Sequence, residues 1–318
     1  ADGWLAELPG FREDSIYARA RRRAGPGPGP ETVAVREHGR WELHEPRRPR
    51  PQAERKPRAR LPPRSAPRRP AAPPLVRVHV VGPERPATLV LPEGDHITAA
   101  VARSGTYYER DLLDAIRDRR PRGTFVDVGA HYGNHTAFFG LECGAERVIA
   151  IEPSPPAFAG LLETVAENGL RHVVTPHRVA AHPTWRDVAV TTLPWRPRRG
   201  TAIRTNSGRV GIAPSRRGGD APAAPLDEIL DGVRGIGLIK VDAEGMSAQI
   251  LASAPRVLQR DRPLVAAEAA TETERHALRA LLSALRYREV ARYCWTPTWL
   301  WEPIPARGCA EHDAVVGC

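Results

Sequence analysis

Lysine is almost missing from this sequence. Lys56 and Lys240 are the only two among 47 basic residues; all the others are arginine. Together with the abundance of alanine, proline and glycine, this is the codon signature of a GC-rich genome, so the arginine excess does not by itself mark an anion-binding surface. Cysteine is scarce too. Cys143, Cys294, Cys309 and Cys318 are spaced like neither a disulfide framework nor a zinc knuckle. Cys309, His312 and Cys318 can be imagined as metal ligands, but free thiols in a reducing cytoplasm are the plainer reading, and a cytoplasmic protein is expected. No run approaches the ~20 apolar residues of a membrane span. The opening "ADGWLAELPGFRED" has neither a basic stretch nor a long apolar one, so no signal peptide and no membrane partner are expected.

Charge of one sign is plentiful but local. The chain carries a formal +10, while residues 46–74 alone hold ten Arg/Lys against the single acid Glu54. The same segment holds ten prolines. Like-charge repulsion and proline exclude a packed core there, and the segment reads as a disordered or polyproline-II linker. Holding a nucleic acid electrostatically is its functional alternative, although no aromatic residues are interleaved. Residues 1–45 form an N-terminal extension of uncertain structure, in which "TVAVREHGRWELHE" allows two short strands around Gly39.

From Leu75 the texture changes. Residues 75–120 read as a lead-in, with strands at "LVRVHVV" and "ATLVL" and a helix at "YERDLLDAIRDR", whose Leu112, Leu113 and Ile116 recur at helical spacing. Residues 121–318 alternate strand and helix. "GTFVDVG", "RVIAIEP", "HVVTPHRVAA", "DVAVTTL", "IGLIKVDAEG", "PLVAAEA" and "REVARYCW" are predicted strands. "NHTAFFGLEC", "PPAFAGLLETVAENG", "PLDEILDGV", "SAQILASAPRVLQ" and "TERHALRALLSAL" are predicted helices. Apolar, β-branched strands flanked by amphipathic helices specify an α/β fold with a mainly parallel sheet covered on both faces. Ligands of such sheets lie outside the carboxyl ends of the strands. The segment "PWRPRRGTAIRTNSGRVGIAPSRRGGD" reads as a long loop, a lid over the site or simply unstructured. Trp299 and Trp301 of "TPTWLWEP" read as a core strand.

Three strand ends carry chemistry. In "TFVDVGAHYGNHT", Asp127 closes a strand, Gly129 permits a sharp turn and Gly133 lets the next helix begin close to a ligand. Asn134 and Thr136 fall in that helix's first turn, where backbone N–H groups are free. The spacing is not G-x-G-x-x-G, and His131 stands where a dinucleotide fold needs its middle glycine, which argues against a pyrophosphate and so against NAD. In "VIAIEPSP", Glu152 ends the next strand, 23 residues after Gly129. An acid there can accept both hydroxyls of a ribose; capping the helix near Pro155 is the alternative. In "LIKVDAEG", Asp242 and Glu244 end a third strand beside the presumed reacting centre, with helix capping and an arginine pair as the structural alternative. His131 and His135 stand one helical turn apart, a spacing that can hold a metal. No third ligand is near in sequence, and no metal is assigned.

Taken in order, "FVDVGAHYGNHT", "VIAIEPSPPAF", "VAAH", "PLDEIL", "LIKVDAEG" and "LVAAEA" resemble the FkbM family of S-adenosylmethionine-dependent methyltransferases, over roughly residues 95–290. The resemblance implies the class I methyltransferase (Rossmann-like) fold and S-adenosyl-L-methionine as cofactor. It implies that Asp127, Gly129, Ala130, Gly133 and Thr136 hold the methionine end and the sulfonium, that Glu152 holds the ribose, and that Asp242 lies near the transferred methyl. His131, Asn134 and Pro153 are counted with the cofactor site. Asp242, Glu244 and His135 are the candidate catalytic residues, because a hydroxyl acceptor needs a base. The chain departs from the family's commoner pattern at His131, Asn134 and His135. It departs again at Ser247 and Gln249, where acids are frequent. The expected function is O-methylation of a small hydroxylated natural product or sugar, as in secondary metabolism. A nucleic-acid methyltransferase using residues 46–74 is one alternative, weakened because "VDAEG" is not the Asn/Asp-Pro-Pro-aromatic exit of base-methylating enzymes. A non-catalytic binding module is the other. The oligomeric state leaves no mark in the sequence.

Overall fold

The structure, a computed structural model, describes residues 33–37, 40–44, 73–184, 186–192, 203–215 and 219–305. The chain divides into two compact units. In the smaller, Ala24–Ala72, strands β1 (Val33–Glu37) and β2 (Arg40–His44) pair antiparallel, with Val33 opposite His44. These are the two strands expected around Gly39. Residues 46–72, the bulk of the predicted linker, lie outside the described residues.

The larger unit opens with a hairpin of β3 (Leu75–Val81) and β4 (Pro86–Pro92), followed by helices α1 (His96–Ser104) and α2 (Arg110–Asp118). The alternation then runs β5 (Thr124–Val128), α3 (Asn134–Glu142), β6 (Arg147–Ile151), α4 (Pro155–Glu167), β7 (Val174–His177). Three strands of a side sheet follow β8 (Ala180–Ala181): β9 (Arg186–Thr192), β10 (Val210–Pro214) and β11 (Ala221–Ala224). The chain returns through α5 (Leu226–Ile229), β12 (Ile236–Val241), α6 (Ser247–Ala252), α7 (Pro255–Arg260), β13 (Leu264–Glu268), α8 (Glu272–Ala284), β14 (Tyr287–Tyr293) and β15 (Thr298–Pro303).

The central sheet has seven strands in the order β14-β15-β13-β12-β5-β6-β7. β5, β6, β7, β12 and β13 are mutually parallel, and β15 runs antiparallel to both its neighbours. This is the mainly parallel class I methyltransferase sheet the sequence predicts. The order reverses between β5 and β12, so the carboxyl ends of those strands splay around a crevice.

Successive residues of each strand go to opposite faces. Phe125, Val148 and Leu300 enter one core with the β3–β4 hairpin and helices α2 to α4. Val126, Ile149 and Trp301 enter the other with α5 to α8. Trp301 is fully buried, as a core strand requires. Thr164 couples the layers: its hydroxyl accepts from Val90 N at 3.0 Å and donates to the Tyr132 carbonyl at 2.8 Å.

Four local expectations are corrected. "HVVTPHRVAA" is not one strand: β7 stays in the central sheet, and β8 pairs with β11 in the side sheet. "SAQILASAPRVLQ" is two helices, because Pro255 lacks the N–H that continuity needs and instead opens α7. "PLDEILDGV" makes a single turn, Leu226–Ile229. The loop before it is not all loop: Val210–Pro214 pairs with β9, and Thr205 bridges to Asp95. Among the described residues no helix is long and apolar enough to cross a membrane.

Candidate functional site

The crevice opens into a cavity of about 1020 Å³, counting space shared with solvent. One wall is the turn from β5 into α3. Gly129 has φ 77°, and a Cβ there would stand 2.0 Å from the backbone oxygen of Asp242, so only glycine lets β5 and the end of β12 approach this closely. The turn is fixed from behind: Gly129 N and Ala130 N donate to the Ile151 carbonyl at 2.9 and 3.0 Å. Gly133 serves a different purpose from the one the sequence suggests. A Cβ there would press on Leu161 and Thr164 of α4, so this glycine admits close helix packing and does not border the cavity.

Glu152 faces the cavity beside Pro153. Its Oε2 accepts from His131 N at 2.9 Å and its Oε1 from Ser154 N at 2.7 Å. Ser154 precedes α4, and the N–H that Glu152 accepts is that of the cap residue itself, so Glu152 steadies the entry to the helix without capping it. Each oxygen keeps one more lone-pair site, and the two together can accept from a diol. Burial pushes the carboxyl up to about 7, against the pull of the two backbone donors.

The opposite wall is charged. Lys240 sits on β12, 2% exposed, with its Nζ 3.3 Å from Asp127 Oδ1 and 3.3 Å from Asp242 Oδ2. Burial alone would lower the ammonium, but the two carboxylates outweigh it and hold the group above its ordinary value. Asp127 is wholly buried and accepts from Thr136 Oγ1 at 2.6 Å. Neither Asp127 nor Thr136 reaches the cavity surface; they form the support behind Lys240. Asp242 does reach it, with a side chain enclosed by protein yet 39% accessible through the cavity. Burial would raise its carboxyl, but the ammonium of Lys240 outweighs it and keeps Asp242 below the ordinary range. Glu268, at the end of β13, is driven up by burial and then by Asp242. Glu244 lines the cavity, and burial and then Asp242 raise its carboxyl.

Three further elements close the site. Asn134, the first residue of α3, grips Tyr108 through both backbone groups, at 2.9 and 3.1 Å. This places Glu109, in the left-handed region at φ 57°, beside His135, with Glu109 Oε2 3.3 Å from His135 Nε2. His131, at φ 53°, packs its ring against Tyr132, and burial lowers it to about 4, so it stands neutral. Residues 203–212 cover the mouth. Asp95 pins them, accepting from Ser207 N at 2.5 Å and Thr205 Oγ1 at 3.2 Å, and His96 N donates to the Thr205 carbonyl at 2.9 Å. Ser207, Gly208, Val210 and Ile212 thereby become cavity wall.

Of the residues expected from sequence, Gly129, Ala130, His131, Asn134, His135, Glu152, Pro153, Asp242 and Glu244 share this cavity, while Asp127, Gly133 and Thr136 stand behind it. Sequence reasoning missed Lys240, Glu109, Glu268 and the Asp95 clasp. For Lys240 a signal existed: a lysine persists on an apolar strand of a chain otherwise nearly without one.

A family model, the Methyltransferase FkbM domain, matches residues 127–289, just over half of the chain. The chain belongs to the FkbM methyltransferase family. Among solved structures, the chain is similar to methyltransferase FkbM from Methylobacillus flagellatus KT, at 21% identity over 57% of this chain and 43% of that one, with a TM-score of 0.40. The match thus spans less than half of that protein's length. It is also similar to precorrin-6y C5,15-methyltransferase from Geobacter metallireducens GS-15, at 13% identity over 60% of this chain and 86% of that one, with a TM-score of 0.38. No curated protein matches the sequence.

Proposed function

We propose that this FkbM-family chain is an O-methyltransferase that uses S-adenosyl-L-methionine to methylate a hydroxyl of a small molecule, such as a natural product or sugar. The observation that carries the reading is the pairing of Glu152, with two open acceptor sites, and Asp242 on opposite walls of one cavity. S-adenosylmethionine, when bound, supplies an electrophilic methyl on a sulfonium. Glu152 accepts the two ribose hydroxyls. The Gly129–Ala130 turn gives the donor a surface free of side-chain bulk.

Asp242, held ionised by Lys240, accepts a hydrogen bond from the acceptor's hydroxyl and fixes its direction. Glu244, with its raised carboxyl, is the better proton acceptor. As the hydroxyl proton passes to Glu244, the oxygen lone pair forms the new O–CH₃ bond. The donor, if bound, would supply that methyl and keep the electrons of the C–S bond as a neutral thioether. Residues 203–212, clasped by Asp95, exclude water from this exchange. Val210 and Ile212 line the same cavity as Asp242, and this apolar wall suits a small acceptor better than a nucleic acid strand.

The test is a calorimetric titration of the folded chain with S-adenosylhomocysteine, followed by mass analysis of candidate alcohols after incubation with the donor. Binding and a gain of one methyl are expected; absence of any binding rejects the reading.

A further inference from the structure

Three side chains converge at one corner of the cavity without forming a complete set of interactions. Glu109, His135 and Asp242 each offer a ligand atom, and these atoms lie within 4.8 Å of one another. They come from three separate elements: the residue before α2, the second residue of α3 and the end of β12. His135 is 7% exposed, and its Nε2 makes no hydrogen bond. The 3.3 Å approach to Glu109 Oε2 is close enough for an ion pair, yet its geometry is not that of a hydrogen bond. Glu109 is positioned at conformational cost. It holds a positive φ that a non-glycine residue seldom adopts, and its carboxylate does not cap the helix it precedes. Strain of this kind gathers at ligand sites.

We propose that Glu109, His135 and Asp242 bind a divalent first-row transition cation of the Mn²⁺ or Zn²⁺ type. One imidazole and two carboxylates make a mixed nitrogen and oxygen set that suits these ions better than Mg²⁺ or Ca²⁺, which prefer oxygen alone. With ligand bonds near ~2.1 Å, ligand atoms stand about 3–4.2 Å apart around such an ion. Ligand atoms within 4.8 Å of one another need only a modest side-chain shift to reach that spacing. The charge balance is right: the carboxylates of Glu109, Asp127 and Asp242 surround the single ammonium of Lys240, and Asp127 already pairs with it. Lys240 approaches Asp242 at Oδ2.

All three ligands face the cavity, so positions on the ion remain open toward it. Resting on the methyl-transfer reading above, the acceptor's hydroxyl oxygen is the group that fills one of them. A cation there lowers that hydroxyl's pKa, so its proton leaves for Glu244 more readily. The acceptors best served carry two neighbouring oxygens, able to chelate the ion.

The full chain, stripped with chelator and dialysed, is titrated with Mn²⁺ and, separately, Zn²⁺ by calorimetry, and Mn²⁺ binding is confirmed from the loss of its free-ion electron paramagnetic resonance signal. One ion per chain is expected. Glu109→Gln and His135→Ala should each weaken binding at least about tenfold, with circular dichroism confirming the fold. Absence of binding by the folded parent, or unchanged affinity in both folded variants, overturns the site. Should one variant unfold, the parent titration and the other variant still decide. S-adenosylhomocysteine is titrated into the same preparation. Its binding without metal binding removes the metal site alone; metal binding without it removes the methyl-donor reading and leaves the metal site standing.

Discussion

The two walls of the cavity hold their shape by opposite means. On the β5–α3 side, backbone does the work: N–H groups of residues 129, 130 and 131 are tied to Ile151 and Glu152, and the glycine turn leaves no room for change. On the β12 side, charge does it. Lys240 holds Asp127 and Asp242 together, and His135 stands beside them, near Glu109, with its Nε2 making no hydrogen bond. A binding surface for an invariant cofactor can be built from rigid backbone, since its ligand never differs. A surface where charge and protons must move needs side chains whose ionisation is set by neighbours.

The charged wall should break first. In Lys240→Met the buried Asp127 loses its cation, and a carboxylate with 0% exposure cannot find water. Removing one partner of such a pair costs about 3–5 kcal/mol. Urea unfolding should show a loss of that size; a loss under about 1 kcal/mol would mean that Thr136 alone satisfies Asp127.

Asp242→Asn separates holding from reacting. Lys240 keeps Asp127 as its other partner, so stability should fall by less than in Lys240→Met. Methyl transfer should fall by about 10²–10³-fold, since an amide neither orients a hydroxyl as a carboxylate does nor supports Glu244. Retained transfer in a folded variant would remove Asp242 from the mechanism.

On the backbone side, Thr164→Val leaves Val90 N buried without its acceptor and should cost about 1–3 kcal/mol in thermal or urea unfolding. Affinity for S-adenosylhomocysteine should stay within about twofold, because Thr164 supports the turn from behind and does not line the cavity. A larger drop in affinity would show that the rigid wall transmits strain to the ligand.

The same contrast explains what the sequence revealed. Gly129 and Glu152 were legible because each belongs to a short strand–turn–helix unit, where function and local geometry share a spacing. The strand and helix alternation was legible for the same reason. Glu109, Glu268 and the Asp95 clasp were not, since their meaning lies in partners far along the chain: Glu109 meets His135, Glu268 meets Asp242, and Asp95 meets Ser207. Local periodicity encodes no such pairing. Gly133 misled because a glycine before a helix reads equally as room for a ligand or room for Leu161. The split at Pro255 was readable, and the apolar periodicity on either side of it masked the break.

The smallest predicted effect tests Glu152, the carboxyl on the backbone side. Glu152 has its carboxyl raised from an ordinary 4.5 to about 7. For stability the sign is that of a group protonated more readily when folded. Its contribution is fully present below 4.5, is lost as pH rises toward about 7, and changes no further above. Ligand affinity should run the other way. A ribose diol donates two hydrogen bonds, and the carboxylate can accept both only when ionised, so S-adenosylhomocysteine should bind more tightly as pH rises through 7, by several-fold to about tenfold. Calorimetry between pH 6 and 8 measures this, with Glu152→Gln as the control, which should bind weakly and without that slope. If the parent's affinity is flat across this range while the control keeps a comparable affinity, Glu152 serves only the turn and α4, and the backbone wall ends one residue short of the sugar.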